Sequence, residues 1–445
     1  MFGVFPARVI TFSGDRVQRP LINEVLPLVS PRISVASAVH GTVQYIEGNR
    51  LVLGRDVNLN KALIPILGIT LVDVLGFTML IPILPYYAEH YGASPVAVGL
   101  IYSTVALCAL VASPFWGRLS DGIGRKGVLL AAQVASAAGF TLLGIGGALW
   151  VIYVARAIEG LGGGGLGVTQ AYVSDVTTPQ ERARAFGLVG ATFGIGFLIG
   201  PALSGTLVRF GYPVPLFLGA ALAVTTVVLT IFLLPESHTP VGEAVSASLQ
   251  TIAAALRAPD LGTLLLAQFA FSFAFYSWIS IFALFVERVL GFGPSQSSFL
   301  FVISASIGIV VQAFLIGKLV DRFGEGRIAI AGLSCAIAGY AAIPYVSSIA
   351  TLLPIVMLWA LSGALIRPSF TALISRAAPA SMRGALFGVN DSLGNVAFLI
   401  APLIATAVLT KDVHAVGAVP VLASIAALAI GWRVFVRPPL ADEAI

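Results

Sequence analysis

Charged side chains are scarce in this chain. Of its 445 residues only 10% are Asp, Glu, Lys or Arg, where a soluble domain carries about 25%. Too few charges exist to cover a water-exposed globule. Cysteine is nearly absent. Cys108 and Cys335 both fall inside apolar runs, so free, packed thiols are expected and no disulfide. His40, His90, His238 and His414 stand in the tail or in loops with no metal-ligand spacing. There is no Walker A lysine motif, so ATP hydrolysis has no support. Two G-x-G-x-x-G matches, at 122–127 and 160–165, lie at or within apolar runs and follow no strand. No nucleophile–base pair stands out. The expectation is a protein that is not an enzyme and needs no cofactor or metal.

Apolar residues are abundant instead: 58% of the chain is hydrophobic and the mean hydropathy is +0.97. This composition marks an integral membrane protein. From Lys61 onward, runs of about 20 residues, the length a bilayer requires of a helix, alternate with short polar breaks. Twelve are expected, near 62–84, 96–116, 127–147, 150–173, 184–207, 214–234, 262–287, 296–317, 327–346, 349–374, 384–408 and 415–436. The fold class is therefore an all-α membrane protein of twelve transmembrane helices in two six-helix, pseudo-symmetric halves. The expected boundaries are 59–234 for the first half, 235–261 for a polar linker with a short surface helix over 244–256, 262–437 for the second half and 438–445 for a tail. Residues 1–58 lack a long apolar core and a signal-peptide pattern. They are expected to be a poorly ordered extension, with 42–46 and 51–53 as a candidate hairpin.

The sequence pI near 9.3 does not indicate nucleic acid, because the basic residues form no single patch. Arg118, Arg125, Lys126, Arg182, Arg184, Arg257, Lys318, Arg322, Arg327, Arg376, Arg383, Arg433 and Arg437 share one side of the expected topology. Arg209, Arg288 and Lys411 are on the other. The rich side is expected to be cytoplasmic, with both termini inside. Tyr86, Tyr87, Trp116 and Trp150, near span ends, suit anchoring at the membrane interface.

The two halves repeat their signals. Gly117-Arg118-Leu119-Ser120-Asp121-Gly122-Ile123-Gly124-Arg125-Lys126 is a charged loop between spans two and three. Gly317-Lys318-Leu319-Val320-Asp321-Arg322-Phe323-Gly324 repeats it between spans eight and nine. R-A-R-A-F-G at 182–187 answers R-G-A-L-F-G at 383–388, F-L-I-G-P at 197–201 answers F-L-I-A-P at 398–402, and Arg156 answers Arg367. Two halves with the same order of signals imply parallel repeats about an axis along the membrane normal.

Several residues are candidates for chemistry. Asp73 lies in the middle of the first span, where a carboxylate is expensive and should face a cavity or polar groups; this suits a group that binds and releases a proton. Arg156 and Glu159, three apart in the fourth span, are neighbours on one helix face. Asp391 is set inside span eleven, while its counterpart region near Gly190 and Ala191 has no acid. Arg367 in span ten is either its partner or an anion contact. Gly196, Gly200, Pro201 and Gly205 make span five a closely packing, pliable helix. Gln268, Tyr276, Trp278, Gln312 and Arg367 are the candidates to line a substrate cavity.

The loop pattern G-x-L-x-D-x-x-G-R-K resembles the signature of the major facilitator superfamily. The stretch around Asp73, with Pro82 and Pro85 beyond it, is similar to helix one of tetracycline exporters. Arg156-Ala157-Ile158-Glu159-Gly160 resembles the superfamily's helix-four signature, whose arginine is tied to proton coupling; Glu159 departs from the usual glutamine or other polar residue. The 196–205 stretch resembles the antiporter signature G-x-x-x-G-P-x-x-G-G, with Ser204 replacing one glycine. The resemblance covers about 62–436 and implies a drug–proton antiporter, a monomer in the cell membrane. It would export small amphipathic molecules in exchange for protons, with Asp73, Arg156, Glu159 and Asp391 in coupling. Gly117, Asp121, Gly124, Arg125, Lys126, Asp321 and Arg322 would form the gate. Asp121 is expected to face the N-terminal end of helix eleven, and Arg125 to pair with Asp121 or with acids nearby. The second copy has Glu325 in place of Arg125, so the first copy is the expected working latch. Proton-coupled uptake of sugars or metabolites on the same fold is the alternative, and a non-transporting membrane sensor a more distant one.

Overall fold

The computed structural model describes residues 37–39, 42–47, 50–53, 59–162, 165–237, 249–378 and 383–436. The chain divides into two units, Met1–Asn58 and Leu59–Ile445. In the first, β1 (Ser37–Val39), β2 (Thr42–Glu47) and β3 (Arg50–Leu53) form an antiparallel meander. The 42–46 and 51–53 segments pair as expected, with Tyr45 opposite Val52. The rest of the expected extension, and the 438–445 tail, lie outside the described residues.

The second unit is helical because an apolar chain in a bilayer must bond its backbone to itself. The first three spans are α1 (Leu59–His90), α2 (Pro95–Ile123) and α3 (Arg125–Ile145). The fourth is divided between α4 (Leu149–Leu161) and α5 (Gly165–Val176); α6 (Pro179–Leu207) and α7 (Pro213–Leu233) complete the half. A linker helix, α8 (Leu249–Arg257), precedes the seventh span, α9 (Pro259–Leu290). The eighth joins α10 (Pro294–Val310) to α11 (Ile316–Phe323) through a π-helical stretch, Val311–Leu315. The last four are α12 (Glu325–Ala341), α13 (Ile349–Ala377), α14 (Arg383–Lys411) and α15 (Ala418–Phe435). Among the described residues, 11 helices are long and apolar enough to cross a membrane. The expected fourth span, 150–173, is described in the two pieces α4 and α5. Residues 163 and 164, between α4 and α5, lie outside the described residues.

Local chemistry fixes the ends. Proline opens α2, α6, α7, α9 and α10, where its missing N–H costs nothing. Thr178 and Glu181 form a capping box on α6. Gly291 ends α9 at φ 68°, in the left-handed region. The linker differs from expectation. Span seven starts at Pro259 rather than 262, and Ala255 of α8 is fully buried against Leu261 and Leu264, so this helix is not wholly on the surface.

The packing repeats between halves. The first span lies on the fifth and sixth, as the seventh does on the eleventh and twelfth. The third packs on the fourth and sixth, the ninth on the tenth and twelfth. Span two meets span eleven and span five meets span eight across the interface. Among the described residues, polar contacts between halves gather at the end away from the 117–126 loop. The Tyr86 hydroxyl is 3.0 Å from the Ala283 carbonyl, 2.9 Å from that of Phe292 and 2.5 Å from the Ser297 hydroxyl. Ser103 donates to the Leu399 carbonyl at 2.6 Å, and Arg288 meets Glu89 at 3.5 Å. Tyr86 is therefore an inter-half contact rather than an interface anchor. So is Tyr87 an internal residue, 1% exposed, whose hydroxyl donates to Leu143 O at 2.5 Å. Trp150 is exposed, as an anchor requires.

Candidate functional site

Two acids from different helices open onto one space in the first half. Asp73 of α1 and Glu159 of α4 line a cavity of about 60 Å³ together with Val72, Gly76, Phe77, Ser136, Phe140, Gly219 and Ala223. That is room for water rather than for a drug-sized molecule. Asp73 has the side chains of Thr226 and Gln133 as polar neighbours, one from each of the two spans flanking the cavity. Arg156, 3% exposed, forms an ion pair with Glu159 and lies 5.9 Å from the Phe140 ring centre. The pairing expected from their spacing is present. Its Nε atom has no hydrogen-bond partner among the described residues. Two carboxyl groups thus line a small space whose other lining residues, Ser136 apart, are apolar, and a cation stands beside one of them. Thr226 and Gln133 were not among the expected site residues; polar residues inside apolar spans are the signal that marks them.

The charged loop is held from two span ends. Arg125 Nε reaches Asp175 Oδ2 at 3.1 Å, and its Nη1 donates to Ser120 Oγ at 2.6 Å. Its backbone N–H donates to Glu236 at 2.8 Å, and the Lys126 N–H to the same carboxylate at 3.2 Å. Lys126 Nζ donates to the Ile231 carbonyl at 2.8 Å. Gly124 is at φ 103°, and a Cβ there would run into the Glu236 carboxylate, so only glycine fits. Asp175 and Glu236 complete a cluster that the loop motif alone did not disclose. Both stand at the end of a span, where an acid can meet a loop. The Asp121 side chain lies outside the described residues, as does that of Asp391, though the backbones of both are helical. In the second copy Asp321 and Arg322 are exposed, and the Arg322 guanidinium is 5.4 Å from the Phe323 ring centre.

Span five makes the close approaches expected of its glycines. A Cβ on Gly196 would collide with Val74, and one on Gly200 with Thr78 Oγ1 and the Leu75 carbonyl. Thr78 donates across this contact to the Gly196 carbonyl at 2.8 Å. At Gly205 the neighbour is Ser298 of the other half, and Ser295 donates to the Gly205 carbonyl at 2.7 Å. One helix therefore joins α1, which carries Asp73, to the eighth span. Pro201 sits inside this helix.

The second half is aromatic. The Arg367 guanidinium of α13 lies 4.7 Å from the Phe275 ring centre. Tyr276 meets Phe398 at 4.6 Å, and Phe398 meets Tyr102 of the first half at 5.9 Å. Gln268 reaches Ser272 at 3.5 Å, and its Oε1 is buried without a partner among the described residues. Gln312 is exposed in the π-helical stretch. Trp278 does not line a cavity. It is 1% exposed, packed on Phe282, Phe285 and Tyr340. Tyr276 and Trp278, two apart, cannot share a helix face.

The Major Facilitator Superfamily model matches residues 66–402 and 315–444. Multidrug resistance protein 2 of Bacillus subtilis (strain 168) is 29% identical over 362 residues, 77% of this chain and 88% of that protein. The class C tetracycline resistance protein of Escherichia coli is 29% identical over 364 residues, 78% of this chain and 90% of that one. Among solved structures, the human organic anion transporter MFSD10 (TETRAN) superposes with a TM-score of 0.68 at 19% identity, covering 84% of this chain and 99% of that one. A bacterial homologue of the iron transporter ferroportin, in an inward-facing state, does so at 0.66 and 17%, covering 86% and 100%. At such identities these structures speak for the fold.

Proposed function

This chain belongs to the Major Facilitator Superfamily, and on that premise we propose that it is a secondary transporter exporting small amphipathic molecules in exchange for protons. The observation that carries the reading is the cavity shared by Asp73 and Glu159, with Arg156 paired to one of them. An antiporter needs a group that is protonated from one side and discharged to the other as substrate competes for the site. Asp73 is placed to do this. It lies on α1, whose Val74, Leu75 and Thr78 touch the glycines of span five, so a change at the acid can be passed to an inter-half helix. Similarity to multidrug and tetracycline resistance proteins supports export and amphipathic cargo.

The membrane is a cell or inner membrane, and the side rich in Lys and Arg faces the cytoplasm. Contacts between halves at the opposite end fit a form closed to the outside. The loop cluster of Arg125, Asp175 and Glu236, with Asp121 of the same loop, acts as the cytoplasmic latch. Asp391 is a further coupling acid.

Gradient-driven efflux from vesicles and substrate-induced proton release from purified protein test the coupling. Asp73→Asn is expected to keep downhill exchange and lose uphill export. If Asp73→Asn and Glu159→Gln both retain proton-driven export, neither acid is the carrier.

A further inference from the structure

Arg156 and Arg367 hold matching places in the two halves, yet their surroundings differ. Arg156 is neutralised by Glu159 beside it. Arg367 makes no ion pair among the described residues. Its guanidinium lies 4.7 Å from the Phe275 ring centre. A cation at mid-span is costly, and such a residue marks a binding site unless it is paired. An aromatic face offsets part of that cost, but it occupies only the flat side of the guanidinium. An aromatic ring accepts no bidentate N–H pair, and the fork of guanidinium N–H groups matches a carboxylate.

Arg367 is exposed, so its guanidinium is accessible to a ligand while it lies against Phe275. Phe275 belongs to α9, a central helix of the second half, and stacks on Trp359 at 6.1 Å. Beside it Tyr276 meets Phe398 at 4.6 Å, and Phe398 meets Tyr102 across the interface at 5.9 Å. Aromatic faces of this kind accept flat rings at low entropic cost. A cation at one end of an aromatic row is suited to a flat molecule with a negative end.

We propose that Arg367, backed by Phe275, binds the anionic group of planar aromatic substrates, an aryl carboxylate being the simplest, while Tyr276 and Phe398 take the ring. This rests on the transporter reading for its purpose, but not for its test. The cation for the substrate's charge then lies in the second half, and the Asp73–Glu159 cavity for protons in the first.

1-Naphthoate and 1-naphthamide share a ring system and differ in charge. Their binding to the full chain in phosphatidylcholine nanodiscs is measured by titration calorimetry, without a proton gradient. The wild-type protein is expected to prefer naphthoate at least tenfold. Arg367→Gln should erase the preference and leave naphthamide binding unchanged; Arg367→Lys should retain part of it. Phe275→Leu, a second route should Arg367→Gln not fold, should weaken naphthoate several-fold. Equal affinity for both probes, binding of neither, or a preference that survives Arg367→Gln or is untouched in Phe275→Leu would overturn the proposal. Failure here leaves proton-coupled export standing. Arg367-dependent binding together with uncoupled export would sink only the coupling.

Discussion

Arg376 grips Glu325 with two contacts, of 2.7 and 3.1 Å, at the positions where the first half sets Asp175 against Arg125. The repeat has kept the pair and exchanged its charges. The environments are unequal. Arg125 is largely buried, whereas the Arg376 side chain is 64% exposed. Double-mutant cycles to alanine, read by thermal or denaturant melting, should therefore differ. Arg125 and Asp175 should couple by about 1–3 kcal/mol, and Arg376 and Glu325 by about 0.2–1 kcal/mol. Equal couplings would mean that burial does not decide the strength of these pairs.

The Glu89–Arg288 pair ties α1 to α9 at the end away from the loop. Opening of that end would part the two side chains. Arg288→Ala should move the population toward the form open there, about five- to thirtyfold if 1–2 kcal/mol is lost. Spin-label distances between the halves at that end would lengthen. Unchanged distances would reduce the pair to a surface contact.

Gly200→Leu should stop transport while the protein still inserts. The added side chain has nowhere to go, since even a Cβ meets Thr78 and the Leu75 carbonyl. Overpacking of this kind costs about 1–3 kcal/mol, enough to displace α1 and Asp73 with it. Gly190→Leu is the control, because a Cβ there meets nothing. Efflux by the Gly200 variant equal to that of the control would make this contact ordinary packing.

Trp278→Ala is a test of folding. Its indole fills the core among Phe282, Phe285 and Tyr340, so its loss should destabilise by about 3–5 kcal/mol. The melting temperature should fall while substrate affinity of the folded fraction holds. A change of affinity without a change of melting would return Trp278 to the binding site.

The amino-acid order alone determined the spans, the repeat and several charged candidates. Each is a short-range property. Span length answers to bilayer thickness, the loop motif is ten residues long, and Arg156 and Glu159 face one another because a helix brings residues three apart together. Tertiary structure alone decided what lies opposite what. Asp175 and Glu236 reach Arg125 from 50 and 111 residues away, and no local pattern connects them. Asp73 and Glu159 share a cavity because α1 and α4 are turned toward it. Spans that are apolar on every side give little sign of which face turns inward, so Tyr276 and Trp278 read alike in sequence and part company in the fold. The rotation of each helix about its axis is set by the glycines and rings of its neighbours, and only the packed bundle supplies those.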